Sequence, residues 1–136
     1  MTVESTPSAQ RYATAHERLA DLKTRPDLQE EQPVWAPAKR LWESAQVLSR
    51  VMDASTRPNG QDDGVDDDEL AAALAVFEEL RFQLDHLECQ VIIEARRRGL
   101  DWRQIADEQG LKTPQAASQR YQRLMTRLEE IRQGVR

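Results

Sequence analysis

Apolar residues recur every three or four positions along most of this chain, the spacing of one face of an α-helix. The longest run is Leu70, Leu74, Phe77, Leu80, Leu84, Leu87, Val91 and Ala95. It predicts one helix from about residue 67 to Arg98, with that stripe turned to a core. At 1.5 Å per residue the helix spans roughly 45 Å, long for a small domain, and the pattern leaves room for a bend near Gln83–His86. Asp66, Asp67, Asp68 and Glu69 stand where carboxylates complement the positive end of a helix dipole. Arg96, Arg97 and Arg98 stand at the opposite end, and Gly99 stops the helix. A second stripe, Ala38, Leu41, Trp42, Ala45, Leu48 and Met52, predicts a helix over 37–54 that starts at Pro37. Tyr12, His16, Leu19 and Ala20 form a thinner stripe, for a helix over 8–23.

Breakers divide these segments. Residues 1–7 are polar and read as disordered. Residues 24–34 contain Pro26 and Pro33 and read as a linker, and residues 55–65, with Pro58, Gly60 and Gly64, read as a loop. The expected organisation is an N-terminal tail, 1–34, carrying at most a short helix, followed by a helical domain over 35–136.

The stretch 84–128 has a different grammar. Asp101 reads as an N-cap, with Gln104 as its reciprocal partner three residues later. The short helix Trp102–Gln109 then buries Trp102, Ile105 and Ala106. Gly110 ends it, Leu111 plugs the turn, and Thr113 caps a last helix with Pro114 at its first position. Ala117, Tyr121, Leu124 and Leu128 form that helix's buried stripe, which fades after Ile131. Two short helices joined by a tight turn need a small residue where they cross and a turn residue tolerant of positive φ. Ala106 and Gly110 supply both. This is a helix-turn-helix pattern, whose second helix can present its outer face to a DNA major groove. The fold class expected is therefore all-α: a helical bundle with a C-terminal helix-turn-helix and a disordered N-terminus.

With the buried stripe turned inward, Gln115, Ser118, Gln119, Gln122 and Arg123 face out. Side chains of this kind near a helix start suit base edges, and Gln115, Ser118 and Gln119 are the candidate base contacts. Arg103, Lys112, Arg120, Arg123 and Arg127 are the candidate phosphate contacts, helped by free N–H groups at the helix starts. The three successive arginines at 96–98 are better explained as cations at a helix C-terminus.

The net charge of −5 opposes DNA binding only until its distribution is considered. Residues 61–88 hold ten acids and one base, whereas residues 89–136 hold ten bases and six acids. The positive part coincides with the helix-turn-helix. Other chemistry finds little support. The acidic run at 62–69 fails calcium-loop spacing, because the twelfth position counted from Asn59 is Leu70. His16 and His86 lack partners at metal-ligand spacing, so no metal or other cofactor is expected. Cys89, the single cysteine, sits in an apolar helix and reads as a buried structural thiol. There is no phosphate loop and no nucleophile elbow, so no enzyme is expected. One cysteine, no apolar run of membrane-spanning length and no export signal point to a cytoplasmic, nucleoid-associated protein without membrane contact.

Residues 75–124 resemble small actinobacterial helix-turn-helix proteins often labelled small-heat-shock transcriptional regulators. The resemblance rests on Glu-Ala-Arg-Arg-Arg-Gly at 94–99, Trp-x-x-Ile-Ala at 102–106 and Gln-Ala-Ala-x-x-Arg-Tyr at 115–121. It implies a helix-turn-helix with a regulatory role. Pro114 stands where such proteins usually carry Arg, and Asp101 where Ser is common.

The expected function is sequence-specific binding of double-stranded DNA by a transcriptional regulator. A homodimer is expected, since one recognition helix reads only a few base pairs. Leu41, Trp42 and Leu48, with surplus apolar residues Val76, Phe82 and Ile93 on the long helix, offer the surface. The pattern identifies no small-molecule effector. The competing expectation is a helical protein-interaction module, or an adaptor of the transcription machinery, without direct DNA readout.

Overall fold

The computed structural model describes residues 7–28, 35–56 and 64–134. The described residues form α1 (Pro7–Thr24), a 3-10 turn (Pro26–Leu28), α2 (Ala36–Ser55), α3 (Asp67–Arg97), α4 (Trp102–Gln109) and α5 (Pro114–Arg132), with no strand among them. None of these helices is long and apolar enough to cross a membrane. The disorder expected at the extreme N-terminus, and most of the expected linker and 55–65 loop, fall outside the described residues.

The chain divides into two units, Met1–Gln32 and Pro33–Arg136. In the first, α1 leaves every side chain from Ala9 to Leu22 exposed, and Arg25 pairs with Asp27 at 2.8 Å beyond its end.

In the second unit α2 packs against α3, and α5 packs against both α3 and α4. α3 is one uninterrupted helix of 31 residues, so the pattern's allowance for a bend near Gln83–His86 is not used. Asp66 begins it with a capping box: its carboxylate accepts from the Glu69 N–H at 2.8 Å, and Glu69 accepts from the Asp66 N–H at 3.3 Å. Gly99, at φ +95°, and the bond from Leu100 N–H to the Ala95 carbonyl at 3.0 Å end it.

The core lies at the C-terminal end. Ile92, Ile105, Ala106 and Ala117 are its buried members, and Ala95, Leu100, Trp102, Leu111 and Tyr121 pack around them. Trp102 is half-buried rather than enclosed, because it lies at the edge of this cluster with its ring 5.6 Å from that of Tyr121.

The burial of α3 corrects the sequence expectation in part, for only Leu80, Leu87 and Ala95 of the expected stripe are half-buried. Leu70, Leu74, Phe77, Leu84 and Val91, the spine of the expected core stripe, are exposed. The covered residues are Gln83, Cys89 and Ile92, with Ala73, Val76, Leu80 and Leu87 half-buried. The helix carries apolar residues on more than one stripe, and only packing against α2, α4 and α5 selects among them. α2 differs by one position in the same way: Ser44 is buried and Val51 half-buried, while Ala45 and Met52 are exposed.

Candidate nucleic-acid interface

Every device at the α4–α5 turn follows from local chemistry. The Asp101 carboxylate accepts from the Gln104 N–H at 2.8 Å, and the Gln104 side chain accepts from the Asp101 N–H at 2.8 Å. Gly110 adopts the left-handed conformation, φ +72° and ψ +23°, that a side chain resists. The next N–H, of Leu111, bonds to the Ala106 carbonyl at 2.8 Å, and its side chain packs on the core. The Thr113 hydroxyl then accepts from the Ala116 N–H at 3.1 Å, and Pro114 occupies a first-turn position whose N–H would have no partner.

A clamp from α3 sets where α4 begins. Arg96 donates to the Leu100 carbonyl at 3.1 Å, and its guanidinium lies 5.0 Å from the Trp102 ring centroid. Sequence reasoning treated Arg96, Arg97 and Arg98 alike as dipole partners, but they act separately. Arg97 and Arg98 both bind Glu94, whose carboxyl is thereby held down at about 2. The hydrogen bonds from Arg97 and Arg98 contribute most to that shift. Nothing in the local pattern distinguished Arg96, because its aromatic partner lies across the turn.

The candidate base contacts fall on the start of α5. Gln115 and Gln119 are exposed, as are Gln122 and Arg123 farther along, while Ser118 is half-buried. Arg103 on α4 and Lys112 in the turn are also exposed. Among the described residues Arg103, Lys112 and Arg123 enter no ion pair.

The other two candidate phosphate contacts are engaged within the protein. Arg120 grips Glu88 of α3 through Nε at 2.7 Å and Nη2 at 2.8 Å. Arg127 lies 3.2 Å from Asp85 Oδ2, also on α3, an ion-pair distance without good hydrogen-bond angles. The Glu88 hydrogen bonds are the main reason Arg120 holds its proton more firmly than a free guanidinium. Gln109 of α4 donates to the same Glu88 carboxylate at 3.2 Å. Glu88 thus joins α3, α4 and α5. Pattern reading missed Asp85 and Glu88, because ion pairs between distant helices leave no periodic signal.

The remaining chemistry is quiet. No cluster of His, Cys, Asp or Glu among the described residues could hold a metal ion. Cys89 is buried, and burial, followed by the Glu88 and Asp85 charges, pushes its thiol up to about 11.

A family profile described as a Myb-like DNA-binding domain matches residues 90–130. That span takes in the end of α3, all of α4 and most of α5. No curated protein and no solved structure matches the chain significantly. The match supports DNA binding by the same unit whose turn chemistry and exposed polar face are described above.

Proposed function

We propose that this protein is a sequence-specific DNA-binding transcriptional regulator that reads the major groove with the first half of α5. Gln115, Ser118 and Gln119 take the base-edge roles, since Gln amides match adenine through two hydrogen bonds. Arg103, Lys112 and Arg123 anchor phosphates from the free protein, and the N–H groups at the start of α5 add to them. Arg120 and Arg127 join them by exchanging Glu88 and Asp85 for phosphate. The observation that carries the reading is the coincidence of the Myb-like match, 90–130, with a capped helix-turn-helix whose outer polar residues are exposed. The resemblance of residues 75–124 to small-heat-shock transcriptional regulators supports the same class. The protein acts as a homodimer on two half-sites, in the nucleoid of the cytoplasm.

The exposed apolar side chains along α3 favour one second reading, an adaptor that binds protein partners and leaves DNA to them. Salt separates the two. Three phosphate anchors per subunit give a slope of about −3 per bound subunit in log K against log salt, and five give about −4.5. Fluorescence anisotropy with a labelled duplex over a salt series measures it. Failure to bind any duplex at low salt sinks the DNA reading and leaves the adaptor.

A further inference from the structure

The outer face of α3 holds a heptad seam that none of the described elements of the Pro33–Arg136 unit covers. Leu70, Leu74, Phe77, Leu84 and Val91 alternate spacings of three, four and seven, as two wound helices require. Their exposures are 42%, 72%, 40%, 48% and 61%. The two breaks in the seam are Arg81 and Glu88, of opposite sign.

We infer that this seam pairs α3 with α3 of a second copy, antiparallel, about a two-fold axis beside Leu84. The inference rests on the dimer reading above, but moves its surface from Leu41, Trp42, Leu48, Val76 and Phe82, which are half-buried, and Ile93 to this seam, and gives it a register. Antiparallel pairing with Leu84 against its own mate places Phe77 opposite the partner's Val91 and brings Arg81 within one residue of the partner's Glu88. Leu74 then falls within one residue of the partner's Ala95. Each polar break lies beside its opposite charge, and the inner apolar positions meet apolar ones, while Leu70 lies at the helix end opposite the partner's Arg98. Glu88 already accepts from Arg120 and Gln109, and a carboxylate has about four lone-pair sites, so it can accept from Arg81 as well.

The helix ends agree. α3 begins with Asp67, Asp68 and Glu69 in its first turn and finishes with Arg96 and Arg97 in its last. Antiparallel pairing sets each acidic end against a basic end and opposes the two helix dipoles. Parallel pairing would stack like charges at both ends. A preformed receptor lies on the seam. Beside Val91 there is an open recess of about 190 Å³, lined by Ile92, Ala95, Leu100 and Ile105 with Glu88, Glu108 and Gln109 at its margin. An apolar cavity of about 150 Å³ accepts a benzene ring, so this recess accommodates the Phe77 ring arriving from the other copy.

Light scattering of the full chain, with circular dichroism and disulfide trapping, tests this. The parent protein is expected at twice 15.6 kDa at micromolar concentration. L84E should be monomeric with unchanged helicity, since Leu84 is half exposed. Under mild oxidation L84C should trap a covalent dimer, while L74C should not, because Leu74 is far from its own mate in the antiparallel pair. A monomeric parent overturns the inference, as does a dimer that survives L84E. L74C trapping as readily as L84C replaces the antiparallel register with a parallel one and equally overturns it. A parent that dimerises through Leu84 but binds no duplex at low salt sustains the seam and removes the DNA reading instead.

Discussion

Arg120 of α5 and Glu88 of α3 meet through two parallel hydrogen bonds, Nε to Oε2 at 2.7 Å and Nη2 to Oε1 at 2.8 Å. This fork fixes the last helix to the long one, yet it occupies a cation suited to DNA phosphate. The Glu88 side chain is 23% exposed and that of Arg120 is 44% exposed, so the pair is partly solvated. A double-mutant cycle with Glu88→Gln and Arg120→Ala should give a coupling of about 1 kcal/mol in thermal or urea unfolding. Glu88→Gln alone should also tighten non-specific DNA binding and steepen its salt slope by about one, as Arg120 is released to a phosphate. An unchanged slope would show that Arg120 takes no part in binding.

On the recognition face, Gln115→Ala and Gln119→Ala should each cost about 1–3 kcal/mol on a selected site while barely changing affinity for random duplex. Arg123→Ala should weaken both duplexes alike. All three side chains are exposed, so melting temperatures should stay near the parent value. Anisotropy with selected and scrambled duplexes measures the split, and three variants indistinguishable from the parent would place the readout elsewhere.

Trp102 is half-buried between the Arg96 guanidinium and Tyr121. Trp102→Ala should therefore cost about 2–3 kcal/mol, below the about 3–5 kcal/mol of a fully buried aromatic. Arg96→Ala should cost about 0.5–1 kcal/mol through the lost cation–π contact. Intrinsic tryptophan fluorescence followed through urea unfolding reports on the arginine variant, and circular dichroism on the other. A Trp102→Ala protein as stable as the parent would contradict this packing.

Gly110 sits at φ +72° in the turn. Gly110→Ala should destabilise by about 1–2 kcal/mol, the cost of a Cβ in left-handed backbone. DNA affinity should fall further than stability, since the angle between α4 and α5 depends on this residue. Calorimetry beside anisotropy separates the two effects.

Cys89 is 1% exposed and its thiol is pushed up to about 11. Near neutral pH it should be almost wholly thiol and shielded, so a thiol reagent should label it only as fast as the chain opens. Labelling should accelerate in urea along the unfolding curve. Rapid labelling of the folded protein would require local opening around α3.

Much of the fold was legible because it is local chemistry. The Asp101–Gln104 pair lies three residues apart, and a capping box needs only that spacing; the same spacing at Asp66–Glu69 was read only as charge at a helix start. Gly110, Thr113 and Pro114 set the turn in the same way. The helices, the turn and the outward set Gln115, Gln119 and Arg123 could therefore be read from neighbours in the chain alone.

Tertiary structure alone decided which stripe of α3 is covered. Leu70, Leu74, Phe77, Leu84 and Val91 satisfy the same period as the covered residues, and periodicity contains no information about where α2, α4 and α5 will dock. It also decided that Arg120 and Arg127 meet carboxylates while Arg103, Lys112 and Arg123 remain exposed and, among the described residues, without an ion pair. A local pattern specifies backbone geometry within a few residues. The partner of a long side chain depends on helices brought together from distant parts of the chain, and that meeting exists only in the folded molecule.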